Sequence, residues 1–445
     1  MSLFRPKAMS ADVRELLRGT SFAAAHQFAG MAAAFLVSIV LARLLGVTGL
    51  GVYTLSATTI TIAALVGRVG LDMAMVRFAS VGAHQDDWRV VTGVYRAGMQ
   101  IALFASGGVT IVLMFLAPLF ARHVFDNPAV TEPTRIMALT ILPSTIALLH
   151  GEMLKALKLT GTAGIVQSSA PPLVNLIILG IAALSIKGGL TPEQAAWIAF
   201  GSAIVVSAIA VWLWRRLTPQ IKDLRDSFEM RRLLKTSLPL LWVASMGLIV
   251  SVTDVVMLGI WTTAEDVAIY SAALRLVALV GFPLMAVNAI AIPQLSGLYA
   301  NNDIERLESV TRGATLVTGI LALLISAVYW VKPDVALGFF GPEFTVASHA
   351  LVILTAGRFV HTATGPVGIL LIVTGREKLL QHFITASAVA NIALNALLIP
   401  QYGIEGAAIA SALCLAGVKL AIMYFVNQRL EIGTVPFSSI RNRRP

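Results

Sequence analysis

Twelve unbroken apolar runs constrain this chain more than any other feature. They cover roughly residues 20–44, 52–75, 98–120, 137–154, 165–184 and 195–214, then 238–260, 269–295, 314–331, 346–373, 383–399 and 406–425. Each is close to the ~20 residues a helix needs to cross a bilayer. None shows the period-two alternation of a barrel strand. Hydrocarbon offers backbone amides no partner, so such runs satisfy themselves as helices. Composition agrees: 57% of residues are hydrophobic and 13% charged, about half the charge of a soluble domain. The expectation is an all-α integral membrane protein. Residues 1–18 are mixed polar and basic, so no cleavable leader is expected. The one cysteine, Cys414, lies inside an apolar run, which gives no disulfide framework, and no metal or other cofactor is expected.

The runs fall into two sets of six. The longest polar connection, 215–236, carries seven basic residues and separates them. The expected organisation is therefore an N-terminal six-helix bundle (1–214), a basic cytoplasmic linker (215–236), a C-terminal six-helix bundle (237–427) and a basic cytoplasmic tail (428–445). Of 33 Lys and Arg, 24 fall on the side shared by both termini. Five, Arg43, Arg122, Arg135, Lys187 and Lys332, fall on the other, and four lie within spans. Basic residues stay on the cytoplasmic side, so both termini are expected there. The net charge of +10 is thus mostly topology, helped by anionic headgroups, and nucleic acid is not implied.

The halves echo each other. Leu45-Gly46, a short outer turn and Tyr53 correspond to Leu258-Gly259, a longer turn and Tyr270. Leu157 to Gly161 with Gln167 corresponds to Leu371 to Gly375 with Gln381. Six spans per copy give both copies one orientation, the arrangement that places a cavity between two bundles for alternating access.

The informative residues are polar ones inside the spans. A charged residue at a span centre costs about 2.5 to 3.5 kcal/mol on an insertion scale, so such groups face protein or water. Arg68 and Asp72, four apart on one expected helix, can pair as a structural lock or serve a lumen. Arg275 either lines a lumen or snorkels to the outer interface. Arg358 and His361 share a face, and Gly365-Pro366 follows, a kink and hinge candidate. Lys419 either joins that face or snorkels to the cytoplasmic side. Asp254, the only acid of the seventh span, is a proton or sodium site or a neighbour's hydrogen-bond partner. His26 is a proton relay or a bonded core histidine. Amides accompany them, among them Asn391 and Asn395. Arg68, Arg275, Arg358, His361 and Lys419 make a candidate cationic, substrate-binding lumen, with Asp254, His26 and Asp72 as ion-coupling candidates. Four fixed positive charges against two negative ones favour an anionic cargo, and arginine forks suit phosphate oxygens.

The chain resembles the multidrug, oligosaccharidyl-lipid and polysaccharide (MOP) exporter superfamily, and within it the bacterial Wzx-type oligosaccharide flippases. The residues that carry this are Leu41-Ala42-Arg43-Leu44-Leu45-Gly46, Gly49-Leu50-Gly51-Val52-Tyr53, Gly70-Leu71-Asp72 through Val76-Arg77-Phe78, and Tyr402-Gly403-Ile404-Glu405-Gly406. The resemblance implies a V-shaped, MATE-like pair of six-helix bundles in the bacterial inner membrane. It implies movement of an undecaprenyl-diphosphate-linked sugar unit to the periplasmic leaflet for lipopolysaccharide or exopolysaccharide synthesis, coupled to an ion gradient. Membrane lipids, a polysaccharide polymerase and chain-length proteins are the partners it implies.

Three alternatives remain beside it. A cation-coupled multidrug (MATE-type) exporter would use embedded acids, and the first span has none. A lipid II flippase commonly carries two further spans. A membrane-embedded polymerase or transferase would need catalytic acids or bases at an aqueous face, and the outer connections here are short without such a constellation. No phosphate-gripping glycine loop is present, so ATP drive is not expected. The expectation is a transporter, not an enzyme.

Overall fold

The computed structural model describes residues 11–185, 189–218, 228–430 and 432–434. Of the basic residues used for topology, Arg5, Lys7, Lys187, Lys222, Arg225, Arg441, Arg443 and Arg444 lie outside the described residues, as do most of the tail and part of the linker.

Sixteen α-helices follow in order: α1 (Ala11–Arg68), α2 (Leu71–His84), α3 (Trp88–His123), α4 (Thr131–Ala138), α5 (Ile141–Ala156), α6 (Thr160–Gly164), α7 (Ala170–Ser185), α8 (Pro192–Leu217), α9 (Met230–Trp261), α10 (Ala264–Val280), α11 (Phe282–Ala300), α12 (Ile304–Val331), α13 (Pro333–Gly338), α14 (Ser348–Ala363), α15 (Val367–Val373) and α16 (Glu377–Arg429). A π-helical turn, Ile165–Ser169, joins α6 to α7. No strand occurs among the described residues.

Among the described residues, eight helices are long and apolar enough to cross a membrane, and two bent pairs bring the number to ten. Two of the eight are double. Gly46 interrupts α1 with φ 65° and ψ −176°, and Gly403 interrupts α16 with φ 52° and ψ −125°. Only glycine adopts such backbone without strain. Dividing both there yields the expected twelve spans. Large apolar side chains such as Phe104, Phe115 and Leu184 are 77%, 79% and 90% exposed, which is reasonable where the solvent is lipid.

Where two helices must touch, small residues permit it, as expected in a membrane. A Cβ added to Gly357 of α14 would stand 2.4 Å from the Ala412 Cα of α16. One added to Gly51 would stand 1.8 Å from the Ala264 carbonyl oxygen. That corrects the sequence reading of the first hairpin. Gly46 makes the break, whereas Gly51 lies in helix and serves close packing. Helix starts outside the hydrocarbon are capped: Thr191 with Gln194 before α8 and Thr263 with Asp266 before α10 form reciprocal capping boxes, each worth about 1 kcal/mol.

Several expected spans are broken rather than continuous. The second ends at Arg68, where Val69 and Gly70 take positive φ (52° and 69°) before α2 begins. The fourth is built from the segments Pro128–Ala138 and Ile141–Ala156, bent by 46°. The eighth breaks at Gly281 with a bend of 43°. The tenth breaks at Thr364 to Pro366, with Gly365 at φ 69°. Backbone groups freed at such breaks need partners or water within a membrane.

By internal contacts the chain forms two compact units. One comprises Met1–Val40, Thr59–Leu119 and Ala129–Ser245, and the other Leu41–Thr58, Phe120–Pro128 and Met246–Pro445. The first has a core of Leu71, Met75, Val91, Val94, Leu149, Met153, Leu154, Trp214 and Leu233. A core cluster of the second gathers Leu295, Leu307, Val367, Leu370, Leu371 and Val426.

Candidate functional site

Asp254, near the end of α9, is 8% exposed and is held by three other helical segments. Its Oδ1 accepts from Asn395 Nδ2 at 2.9 Å. Its Oδ2 accepts from the Tyr270 hydroxyl at 2.9 Å and from the Ser411 hydroxyl. Tyr270 comes from α10, Asn395 from the first leg of α16 and Ser411 from its second leg. Asn391, one turn before Asn395, accepts from Asn395 Nδ2 at 3.1 Å through its Oδ1 and donates to the Ser411 oxygen at 3.4 Å. Every donor is neutral. Asn395 Oδ1 is buried with no hydrogen-bond partner. A buried carboxylate with no cation to balance it is expensive even when hydrogen-bonded, and the unpaired Asn395 oxygen beside it adds to the cost. The set is all oxygen, with a carboxylate, two amides and two hydroxyls, and hard cations or a proton suit such donors. Among the described residues, no group of three or more His, Cys, Asp or Glu side chains could hold a metal.

A second cluster in the same unit is cationic. Arg358 and His361 lie on α14, just before the break at Gly365-Pro366, and Lys419 lies on the second leg of α16. The Arg358 and Lys419 charges lie within electrostatic range of each other and of the His361 ring. Arg358 packs against the break in the eighth span, so closely that a Cβ on Gly281 would stand 2.2 Å from its Nη2. A Cβ on Gly368, beyond the break in the tenth, would stand 3.8 Å from Lys419 Nζ. Arg358 Nε and His361 Nδ1 are buried without hydrogen-bond partners. None of the three has an acidic partner among the described residues. Gly365 itself leaves room for Thr315 of α12, whose Oγ1 would be 2.2 Å from an added Cβ. Arg275, on α10, is exposed and within electrostatic range of Tyr53.

The other candidates lie in the first unit. Arg68 and Asp72 do not form the expected pair. The helix ends between them, so the spacing of four no longer places them on one face. Asp72 Oδ1 instead accepts from the Met73 amide at 3.1 Å in the first turn of α2, where the helix dipole favours an acid. Arg68 Nε is buried without a partner. His26 Nδ1 is 3.1 Å from Ser169 Oγ, on the π-helical turn.

Sequence reasoning missed a further group. His150 is 2% exposed. Its Nδ1 is 2.8 Å from the Ile146 carbonyl and its Nε2 is 3.2 Å from the Tyr95 hydroxyl. A carbonyl only accepts, so Nδ1 carries the proton and Tyr95 donates to Nε2. The signal was a histidine inside an otherwise apolar run. Tyr270 was noticed only as a repeat marker, although it binds the one acid of its neighbouring helix.

Residues 16–299, more than half of the chain, match the family model described as "Polysaccharide biosynthesis protein". The chain belongs to the polysaccharide biosynthesis protein family. A second model, MatE, matches residues 239–397 of this family member. A similar curated protein is "Probable low-salt glycan biosynthesis flippase Agl15" of Haloferax volcanii, 30% identical over 237 residues, which are 52% of this chain and 49% of that protein. The chain thus spans about half the length of that relative. Two solved structures share the fold. One is the inward-facing conformation of a multidrug resistance MATE family transporter of the MOP superfamily (TM-score 0.76, 13% identity, 89% of this chain and 94% of that one). The other is the lipid II flippase MurJ in an inward closed conformation (TM-score 0.71, 14% identity, 92% and 89%). The chain is a multi-pass membrane protein with the fold of those two structures.

Proposed function

We propose that this protein is a flippase that carries a lipid-linked oligosaccharide, joined to its polyprenyl anchor through a diphosphate, across the inner membrane by alternating access. The observation that carries the reading is the half-buried cluster of Arg358, His361 and Lys419 beside two helix breaks, which has no acidic partner among the described residues. A positive site of this kind lowers the energy of a diphosphate and raises that of a cationic drug. Arg275 supplies a further exposed charge, and Arg68 a cation in the other unit. The family description and the name of the Haloferax volcanii relative support the same class of cargo.

Coupling is assigned to Asp254. A cation entering the ring of Asp254, Asn391, Asn395 and Ser411 neutralises the carboxylate and gives the Asn395 oxygen a partner; a proton on Asp254 meets only the first need. Both ligands draw the two legs of α16 toward α9 and α10 and so bias any movement between those helices. The breaks at Gly281 and Gly365-Pro366 are the places where α10 and α14 can pivot. His26 and Asp72 have less claim to coupling, since one is bonded to Ser169 and the other accepts from the Met73 amide in the first turn of α2. Both termini are placed in the cytoplasm, with a polymerase and chain-length proteins receiving the cargo.

The test is Arg358→Ala in a strain that depends on this protein. Surface polysaccharide should fall at least tenfold at unchanged protein level, with Arg358→Lys recovering part of it. Unchanged polysaccharide removes Arg358 from the mechanism. MATE neighbours keep a multidrug exporter as the second reading, which predicts increased drug sensitivity instead.

A further inference from the structure

Outside the clusters above, one feature of the first unit has the composition of a ligand site. A groove of about 450 Å³ runs along α8 beside the start of α5. Its floor is Pro143, Ile204, Ser207, Ala208 and Val211, and one end is closed by Trp212 and Arg215. The α8 residues recur every three to four positions, so they form one stripe along the helix. Ile204, Ala208, Trp212 and Arg215 are all exposed. Apart from Ser207, the stripe is therefore apolar for a little over two turns and becomes basic at its end.

Among the described residues, no acid answers the charge at that end. Arg215 lies within electrostatic range of Tyr95 and His150, but those two are neutral and already bonded to each other. Glu152, an acid of the adjacent α5, is engaged by Lys155 at 2.9 Å and by Gln167 at 2.9 Å. Arg215 has no ion pair among the described residues. The next residue, Arg216, stacks over the Trp212 ring at 5.3 Å, which adds a second cation and holds the indole upright. Trp beside Arg at the end of a span marks the headgroup level, and the chain enters its basic 215–236 connection there.

We propose that this groove is a binding site for an anionic phospholipid. One acyl chain lies along Pro143, Ile204, Ala208 and Val211, and the phosphate rests on Arg215 and Arg216 beside Trp212. An apolar groove ending in two unneutralised guanidinium groups matches a negatively charged headgroup on an apolar tail, and a zwitterionic lipid brings no net charge to balance them. The site is independent of the cargo reading, because its ligand is a resident lipid and its residues belong to neither cluster described for transport.

The experiment is native mass spectrometry of the full-length protein in detergent, supplied separately with phosphatidylglycerol and phosphatidylcholine at equal concentration. Phosphatidylglycerol adducts should survive activation that strips phosphatidylcholine. Arg215→Gln should cut their retention about fivefold, roughly the weight of one basic residue at an anionic surface, and Arg215→Lys should keep most of it. Ala208→Phe fills the groove at an exposed position and should remove the adduct while the protein stays folded. Equal retention of the two lipids, or wild-type retention in both Arg215→Gln and Ala208→Phe, overturns the proposal. Displacement of phosphatidylglycerol by equimolar undecaprenyl phosphate also overturns it, by giving the groove to the cargo's own anchor.

Discussion

Asp254 carries the sharpest expectation at the scale of single residues. A carboxylate held by Tyr270, Asn395 and Ser411 keeps its shape when replaced by an amide, because the remaining side-chain oxygen can still accept from two of them. It loses the charge that attracts a cation or proton. Asp254→Asn is therefore expected to preserve expression and thermal stability while abolishing gradient dependence, measured as flux of lipid-linked oligosaccharide in proteoliposomes with and without an imposed proton or sodium gradient. Flux that still follows the gradient would sink the assignment. Tyr270→Phe removes one donor to that carboxylate and should cost about 1–3 kcal/mol of stability, read as a fall in Tm. The acid and the two asparagines could be picked out in the sequence because polar residues stand out in apolar runs. That they meet could not, since 141 residues separate Asp254 from Asn395 and nothing local records the contact.

Helix breaks explain more at the scale of elements than helix spans do. Gly281 has ordinary backbone (φ −80°, ψ −14°), so a side chain there strains nothing locally. It would, however, meet the Arg358 guanidinium, the movable end of a long side chain. Gly281→Ala is thus expected to leave Tm within about 0.5 kcal/mol of its stability equivalent and still reduce polysaccharide export severalfold by displacing Arg358. Wild-type export in that variant would show that the position of Arg358 is immaterial. The kink at Gly365-Pro366 was legible because proline lacks a backbone donor. The break after Arg68 was not, because Val69 takes φ 52°, a backbone that valine does not advertise. Gly70 there would put a Cβ 2.3 Å from the Ser237 carbonyl oxygen, so tertiary packing sets that break. With it goes the Arg68–Asp72 pair.

Topology is the property of the whole molecule that can be checked directly. With Cys414 replaced by Ala, a single cysteine at Asn127 should react with an impermeant maleimide in intact cells, and one at Asn301 only after lysis. The reverse pattern would invert the chain and with it the direction of transport. The sequence by itself determined the fold class, the number of apolar runs and the sign of the charge within them. All of these follow from local quantities: the length of apolar runs, the side on which Lys and Arg accumulate, and the cost of a charge in hydrocarbon. Only the tertiary structure decided which charges are answered. It surrounded Asp254 with neutral donors, left Arg358, His361 and Lys419 without an acid among the described residues, and separated Arg68 from Asp72. The reason is physical. A side chain's partners come from helices far away in the chain, and helix packing between smooth apolar faces is set by small residues and breaks whose effect depends on what lies opposite.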